Sequence, residues 1–481
     1  MLTLALCATA SVAFAQTRTT PKLDRAVVPT PGPQPQLHVP TWTKTTLSNG
    51  AELIVSEKHA LPLVSVTVNF LGGANQYEDA QKLGVGALAA EMLSEGTATR
   101  TGDQLADAEQ LLGTSIDASV AGEAGSISFT ALADRFDPAV ELMADELLHS
   151  TFPAEALDRL RQQRLVALTQ AKDQPQSIAA NVFSRVLYGD AHPYGRVVTE
   201  QTVKAITRDD VVSFAQNYFK PGRAVIVVVG DVTPDHVKAE FEKAFASWTS
   251  GGDRPTFDYP AVPAAHPTTI YLVDKPGAAQ SVFALGIPGP ARNTPDFYAL
   301  QVMNVVLGGF FQSRLNHLIR EVRGFSYGVG SGFSYGKGPG PFRAGGAIVT
   351  AKSDSALVDF MNELKDAEGG RPFTDEELTE GKAALVQGLP RRFASVDQVG
   401  GALSAIYLQG LPENYFQNYA ANVNAVTADD LTRVAKKYID LDHLNIIVVG
   451  DRATIEEPLR RTGIAPVVAL DINGKPIPAT P

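Results

Sequence analysis

The sequence has only one cysteine, Cys7, and it lies in an apolar N-terminal run. If that run is removed, the mature chain has no thiol, which excludes disulfides, thiolate metal sites and a cysteine nucleophile. No later run reaches the length that a membrane-spanning helix needs. Positive charge is also scarce: the net charge of −11 disfavours nucleic acid and anionic membranes as partners.

The first fifteen residues, MLTLALCATASVAFA, end in the A-x-A pattern of a signal peptidase site. An apolar N-terminal helix is the alternative interpretation. Leu6 precedes Cys7 where a lipoprotein signal needs a small residue, so lipidation is not expected. The prediction is therefore a signal peptide over 1–15 and a periplasmic or secreted protein. A proline-rich tether over 16–41 follows it, with six prolines between residues 21 and 40.

The chain then repeats itself. Residues 206–231 and 426–451 align without a gap at an offset of 220 residues, and ten of 26 positions are identical. In each copy a threonine, Thr207 or Thr427, precedes two aspartates and is predicted to cap a helix. A continuous β-branched run follows, as expected of a strand that is buried on both faces. A repeat this long indicates two duplicated domains.

This duplication gives a layout for the whole chain. The boundary falls in a segment rich in glycine and proline. Strands precede long helical stretches in each domain, which favours an α+β sandwich with helices on one sheet face. The predicted parts are a signal peptide (1–15), a tether (16–41), a first domain (42–247), a linker (248–267), a second domain (268–466) and a tail (467–481).

The stretch GVGALAAEMLSEGT, residues 84–97, has the apolar periodicity of an amphipathic helix. Its opposite face carries Ala87, Ala90, Glu91 and Ser94. Small residues dominate this second face, so it suits burial better than a solvent-exposed surface. One interpretation is a simple core helix. The other depends on a family resemblance.

Residues 68–97 resemble the start of the pitrilysin/insulinase family of zinc peptidases, in which a helix carries H-x-x-E-H. That motif places two histidines on the metal and a glutamate on the bound water. Here the three positions are Ala87, Ala90 and Glu91, and the third ligand of the family falls at or near Gln170. The resemblance implies a vacated zinc site, with no metal in this chain.

The resemblance also implies the fold. It predicts two homologous tandem domains like those of the mitochondrial processing peptidase. Each is expected to be an α/β sandwich, with helices on one face of a mixed, mainly antiparallel sheet.

A second motif covers 302–333, where Gly308-Gly309 precedes a predicted helix that ends near Gly324. A glycine-rich strand follows, and a phosphate-binding loop is disfavoured because G-x-x-x-x-G-K-S is missing. The segment resembles the second-domain motif of the same family, in which an arginine and a tyrosine seven residues later hold the substrate and its oxyanion. Those positions are Arg320 and Tyr327.

The resemblance further implies substrate contacts in the strand that follows, at Gly328, Gly330 and Ser331. Taken singly, Arg320 also suits a surface ion pair and Tyr327 a half-buried strand aromatic. Their joint spacing favours the functional interpretation.

The two motifs together describe half of an active site. Some peptidases of this family are heterodimers in which one subunit binds zinc and the other supplies the arginine and tyrosine. The leading hypothesis is therefore the metal-free subunit of an exported two-chain zinc endopeptidase, with zinc in its homologous partner and a peptide as substrate. The alternative is a scaffold subunit without proteolysis. An independent enzyme finds no support, since no Ser-His-Asp or G-x-S-x-G pattern is present.

The predicted signal peptide can be tested directly. Cleavage after Ala15 should give a mature protein that begins at Gln16. Intact-mass spectrometry of protein from the periplasm or medium checks this, and a retained Met1 or a lipidated Cys7 would refute it.

Overall fold

The structure is a computed structural model, and it describes residues 37–477. Twelve strands form two six-stranded sheets. The first sheet contains β1 (Thr43–Thr46), β2 (Glu52–Glu57), β3 (Leu63–Leu71), β4 (Asp117–Ala121), β5 (Ala124–Leu132) and β6 (Ala224–Gly230). The second contains β7 (Thr269–Asp274), β8 (Gln280–Pro288), β9 (Val329–Phe333), β10 (Pro341–Val349), β11 (Asn445–Gly450) and β12 (Val467–Leu470).

Helices fill the connections between the strands. In the first half they are α1 (Ala74–Tyr77), α2 (Val85–Glu91), α3 (Gly102–Leu112), α4 (Phe136–His149), α5 (Ala154–Ala171), α6 (Pro175–Tyr188), α7 (Glu200–Ala205), α8 (Arg208–Tyr218) and α9 (Pro234–Ala244). In the second half they are α10 (Phe297–Asn304), α11 (Arg314–Asn316), α12 (Ser353–Lys365), α13 (Asp375–Gly388), α14 (Val396–Gln409), α15 (Tyr415–Asn424), α16 (Ala428–Tyr438) and α17 (Arg452–Arg461). No helix in the range 37–477 is long and apolar enough to cross a membrane.

The two sheets share one topology, which confirms the predicted α+β fold of two homologous domains. The first sheet has the order β1-β2-β6-β3-β5-β4 and the second β12-β7-β11-β8-β10-β9. β6 lies between β2 and β3, parallel to β2 and antiparallel to β3. In the same way, β11 lies between β7 and β8, parallel to β7 and antiparallel to β8. The remaining pairs of the five equivalent strands are antiparallel.

The sixth strand of each sheet has a different origin. β1 enters from the N-terminal side and pairs antiparallel with β2. β12 comes from the C-terminal side and pairs parallel with β7. β12 lies in the segment predicted as a tail, so the second sheet continues to Leu470.

The repeated sequence unit forms the predicted helix and strand in both halves. Thr207 and Thr427 are the N-caps of α8 and α16, and each accepts a hydrogen bond from the aspartate amide three residues later. The β-branched runs become β6 and β11, in which every residue is buried. Both strands are central because both of their faces are apolar.

Burial on both faces requires a second layer, and each half obtains it from the other. The first sheet packs its own helices on one face, and on the other face it packs α14 of the second half. In return, α6 of the first half packs on β8 and β11 of the second sheet. The helices therefore lie on both sheet faces. The prediction that helices cover one sheet face holds for the helices that each domain packs on its own sheet. The other face is covered by a helix from the other domain.

Alternate residues of β6 show this exchange. Ile226 and Val228 pack among first-half residues, whereas Val225, Val227 and Val229 pack in the cluster that contains α14. Because strand side chains alternate between faces, one strand serves both cores.

Polar contacts fix the position of α14 on the first sheet. Asn69 on β3 donates to Ser404 Oγ at 3.0 Å. Thr130 on β5 donates to Asp397 Oδ1 at 2.6 Å. These bonds define the register of a helix whose apolar contacts alone would tolerate sliding.

The exchange predicts that neither half folds alone. A fragment ending at residue 247 would leave the α14 face of the first sheet open to water, and each large aliphatic side chain so exposed loses about 1.5–3 kcal/mol. The separate fragments should aggregate or bind a hydrophobic dye, and the co-expressed fragments should copurify. A cooperative thermal transition in one isolated fragment would contradict this.

Candidate functional site

The helix with the vacated motif is held at its start by a buried carboxylate. Glu78 accepts hydrogen bonds from the amides of Gly84 and Gly86, at 3.0 and 2.8 Å. Burial raises the pKa of Glu78, and these amide bonds act against that rise. Gly84 has a φ of +98°, a conformation that favours glycine at the helix start.

The positions that correspond to the family's zinc motif carry no set of metal ligands. Ala90 is buried and Ala87 is half-buried. Glu91 forms an ion pair with Arg164 of α5. Gln170, at the position of the family's third ligand, is exposed. No group of three histidine, cysteine or carboxylate side chains arranged to hold a metal occurs between Leu37 and Ile477.

Arg164 is a residue that the sequence analysis missed. It extends from the helix that would carry the third ligand and places a guanidinium beside Glu91. A fixed positive charge on this chain therefore neutralises the one carboxylate left in the motif. The pair is partly exposed, so it contributes little to stability. The sequence shows that this stretch contains an arginine, but it does not show that the arginine pairs with Glu91.

The second motif lies on an irregular helical segment. α10 continues as a π-helix over Val305–Gly309, and α11 continues as a second π-helix over His317–Val322. Single π turns often occur at functional sites, because the extra residue changes where side chains point. Arg320 lies in the second one.

Arg320 is supported mainly by an aromatic ring. Its guanidinium lies 4.4 Å from the centre of the Phe311 ring. Its Nε lies 3.5 Å from a carboxylate oxygen of Glu321, which is a surface ion pair. The ring is within cation–π distance of the guanidinium, and the Arg320 side chain remains 32% exposed.

Tyr327 is 92% exposed, the highest value among the large hydrophobic side chains of the described part of the chain. Its backbone is nevertheless well held. The Ser326 hydroxyl lies 2.7 Å from the carbonyl oxygen of Ala347 and accepts a hydrogen bond from the Gly328 amide at 3.0 Å. Gly324 has a φ of +65° and ends the preceding helical segment, as predicted. The phenol therefore extends into water from a fixed turn.

Other apolar side chains near this turn in sequence are also exposed. They are Phe310, Phe311 and Val322, at 48%, 60% and 60%. With Tyr327 they form a set that we call the exposed apolar segment. Such concentrations of exposed apolar residues are typical of interaction surfaces.

The predicted substrate contacts on β9 are partly engaged within the chain. Asn316 Oδ1 accepts from the Val329 amide at 3.1 Å. Asn304 donates to the Ser331 carbonyl oxygen at 3.1 Å and accepts from its hydroxyl at 2.8 Å. A peptide strand that added at this edge would have to replace these bonds. Gly328 is exposed and Gly330 is half-buried.

The turn after β9 is fixed by the first half of the chain. Glu123, in the β4–β5 turn, accepts from the Lys337 amide at 2.8 Å and from the Tyr259 hydroxyl at 2.5 Å. The Tyr194 hydroxyl also donates to Glu123 and accepts from the Gly338 amide at 3.0 Å. The half-buried carboxylate of Glu123 therefore connects the β4–β5 hairpin of the first half with the equivalent β9–β10 hairpin of the second half.

The polar contacts of each motif stay within its own half. Glu91 pairs with Arg164, and Arg320 contacts Phe311 and Glu321. Arg320 and Tyr327 can each donate a hydrogen bond to a carbonyl oxygen.

Comparison with known proteins identifies the family. Residues 53–194 match the family model described as insulinase (peptidase family M16), and residues 205–385 match the one described as peptidase M16 inactive domain.

Individual relatives agree with this match. A protein of Mycobacterium leprae named as an uncharacterized zinc protease is 27% identical over 72% of this chain and 78% of its own length. One of Mycobacterium bovis with the same kind of name is 29% identical over 60% of this chain and 65% of its own length. The crystal structure of a peptidase M16 inactive domain from Pseudomonas fluorescens has a TM-score of 0.78 and 26% identity, covering 85% of this chain and 98% of that chain.

The residue set predicts that this chain does not bind zinc tightly. The purified protein should hold less than about a tenth of an equivalent of zinc after dialysis, because a single carboxylate paired with an arginine cannot replace three ligands. Elemental analysis measures this. Near-stoichiometric zinc that is lost in Glu91→Ala would overturn the interpretation.

Proposed function

We propose, from the premise that the chain belongs to the peptidase M16 (insulinase/pitrilysin-type) family, that it is the zinc-free subunit of a two-chain metalloendopeptidase. Its homologous partner carries the intact H-x-x-E-H motif and the zinc. Arg320 and Tyr327 complete the partner's active site. The A-x-A pattern after the apolar run supports export to the periplasm or the medium.

The observation that carries the proposal is the state of Tyr327. The Tyr327 side chain is 92% exposed on a turn that hydrogen bonds hold in place. Its hydroxyl is therefore available to another molecule. Tyrosine usually buries its ring, so full exposure on a fixed turn favours a role toward another molecule.

The altered zinc motif also supports a two-chain active site, in which the partner binds zinc and this chain supplies Arg320 and Tyr327. Ala87 and Glu91 stand at the positions of the family's two histidine ligands, and Ala90 stands at that of its catalytic glutamate. Glu91 also forms an ion pair with Arg164. The second motif is intact at the same time. A chain with this combination needs its missing groups from elsewhere.

The exposed apolar segment supports a contact with another molecule beside Arg320. Phe311 both supports Arg320 and remains 60% exposed. Covering this segment with a partner or a substrate would lower the local dielectric around the guanidinium and strengthen its hydrogen bonds.

The chemistry assigned to this chain is binding and charge stabilisation. Arg320 would donate to the substrate backbone before and during reaction, since a guanidinium fork suits carbonyl and carboxylate oxygens. Tyr327 would donate one hydrogen bond to the oxygen that gains negative charge at the tetrahedral intermediate. The partner's zinc would supply the activated water.

Substitution of Tyr327 tests the proposal. In the heterodimer, Tyr327→Phe should lower kcat by roughly 10²–10³-fold, because it removes one oxyanion donor and little volume. Arg320→Ala should also raise KM, because the guanidinium contacts the peptide in the ground state. Hydrolysis of a fluorogenic peptide by the reconstituted pair measures both parameters.

Tyr271→Phe is the matched control. It removes a hydroxyl from β7, where the group lies 3.2 Å from His266 Nε2, and should leave activity unchanged. Size-exclusion chromatography confirms that each complex is intact. Full activity of Tyr327→Phe in an intact heterodimer would contradict the proposal and favour a scaffold role.

A further inference from the structure

One face of the β9–β10 hairpin is almost without side chains. On β10, Phe342, Ala344 and Ile348 are fully buried in the core of the second half. The alternate residues Arg343 and Gly345 face the other side of the sheet, the side on which α6 packs.

Arg343 has glycine on both sides in the sheet. It pairs with Gly332 on β9 and with Gly286 on β8. In the next row, Gly345 pairs with Gly330. On the β9 side this face is therefore a backbone floor from which one guanidinium rises, whereas on the β8 side the Phe183 ring of α6 covers Gly286. Glycines in a strand interior often mark a place where another backbone or a ligand approaches closely.

The floor lies in a groove that has room for a ligand. A Cβ atom added at Gly332 would have no atom within 4 Å. The groove has a volume of about 430 Å³. It is bounded by Gln176 at the start of α6, by Phe333 at the end of β9 and by Ser334 after it. That volume suits a few side chains of an extended peptide and is far too small for a folded domain.

The groove carries an uncompensated positive charge. Arg343 is the only charged residue among those that line it. Partial burial of the guanidinium lowers the pKa of Arg343, and no acidic group acts against this effect. Its guanidinium lies 5.6 Å from the centre of the Phe183 ring, a weak contact that leaves the donors free.

We propose that this groove is a subsite for an extended peptide with an acidic side chain, and that Arg343 binds the aspartate or glutamate carboxylate. The proposal rests on the proposed peptidase function and names its substrate class. The flat glycine floor admits the peptide backbone, and the guanidinium fork matches a carboxylate with two parallel hydrogen bonds. Because the chain as a whole carries a net charge of −11, this local cation is what would attract an acidic segment.

Peptide binding tests the proposal without catalysis. The full chain, without a partner, is titrated against two fluorescein-labelled, C-terminally amidated peptides that differ only in one glutamate or glutamine, and anisotropy is recorded. The glutamate peptide should bind about tenfold more tightly, as expected for a charge-assisted bond over a neutral one. Arg343→Gln should abolish this difference and leave the glutamine peptide unaffected.

A second variant fills the groove. Gly332→Leu should weaken binding of both peptides, because the added side chain occupies the empty space above the floor. Arg461→Gln is the control: this exposed arginine lies on α17, which packs at the opposite edge of the sheet, on β7 and β12. It should retain the tenfold preference.

Three results would overturn the proposal. They are a glutamate preference that survives Arg343→Gln, equal binding of the two amidated peptides to the unsubstituted chain, and no measurable binding of either peptide. The proposed function fails separately. Loss of the glutamate preference leaves the Tyr327→Phe result unchanged, and a fully active Tyr327→Phe heterodimer leaves the peptide preference unchanged.

Discussion

The exchange of α6 and α14 between the two halves is the constraint on which the rest of the structure depends. β6 and β11 are apolar on both faces, so each sheet needs two covering layers. Each half supplies helices for one face of its own sheet and one helix for the other sheet. The halves are therefore locked together, and elements far apart in sequence keep fixed relative positions.

That locked arrangement gives the candidate site its rigidity. The β9–β10 turn is held by Glu123 of the first half, and β9 is held from its own half by Asn304 and Asn316. Tyr327 follows a helical segment that ends in the left-handed Gly324. An exposed phenol on such a support loses little conformational freedom when it binds another molecule.

Much of this fold could be predicted from the sequence, because local patterns determine it. The repeat, the capping threonines and the β-branched runs each depend on neighbouring residues, and the structure contains them where they were expected. The helix that carries the altered motif could also be located, because its apolar periodicity depends on local sequence alone. The exchange of helices could not be predicted, since α6 and α14 resemble ordinary amphipathic helices and their partners are distant in sequence.

The fine structure of the site was hidden for similar reasons. The Glu91–Arg164 pair joins residues on two helices and has no spacing rule. The bonds of Asn304 to Ser331 appear only when α10 is placed beside β9. The setting of Arg343 could not be predicted either, because the glycines that pair with it lie on the two neighbouring strands, β8 and β9.

The central claim is that this chain supplies half of an active site. A titration of the chain into a homologous, zinc-loaded partner that carries H-x-x-E-H tests it most directly. The account predicts that each chain alone is inert, that peptide hydrolysis rises until the two are equimolar, and that the complex contains one zinc per pair. A partner that is fully active alone, or an equimolar complex that forms and stays inactive, would contradict it.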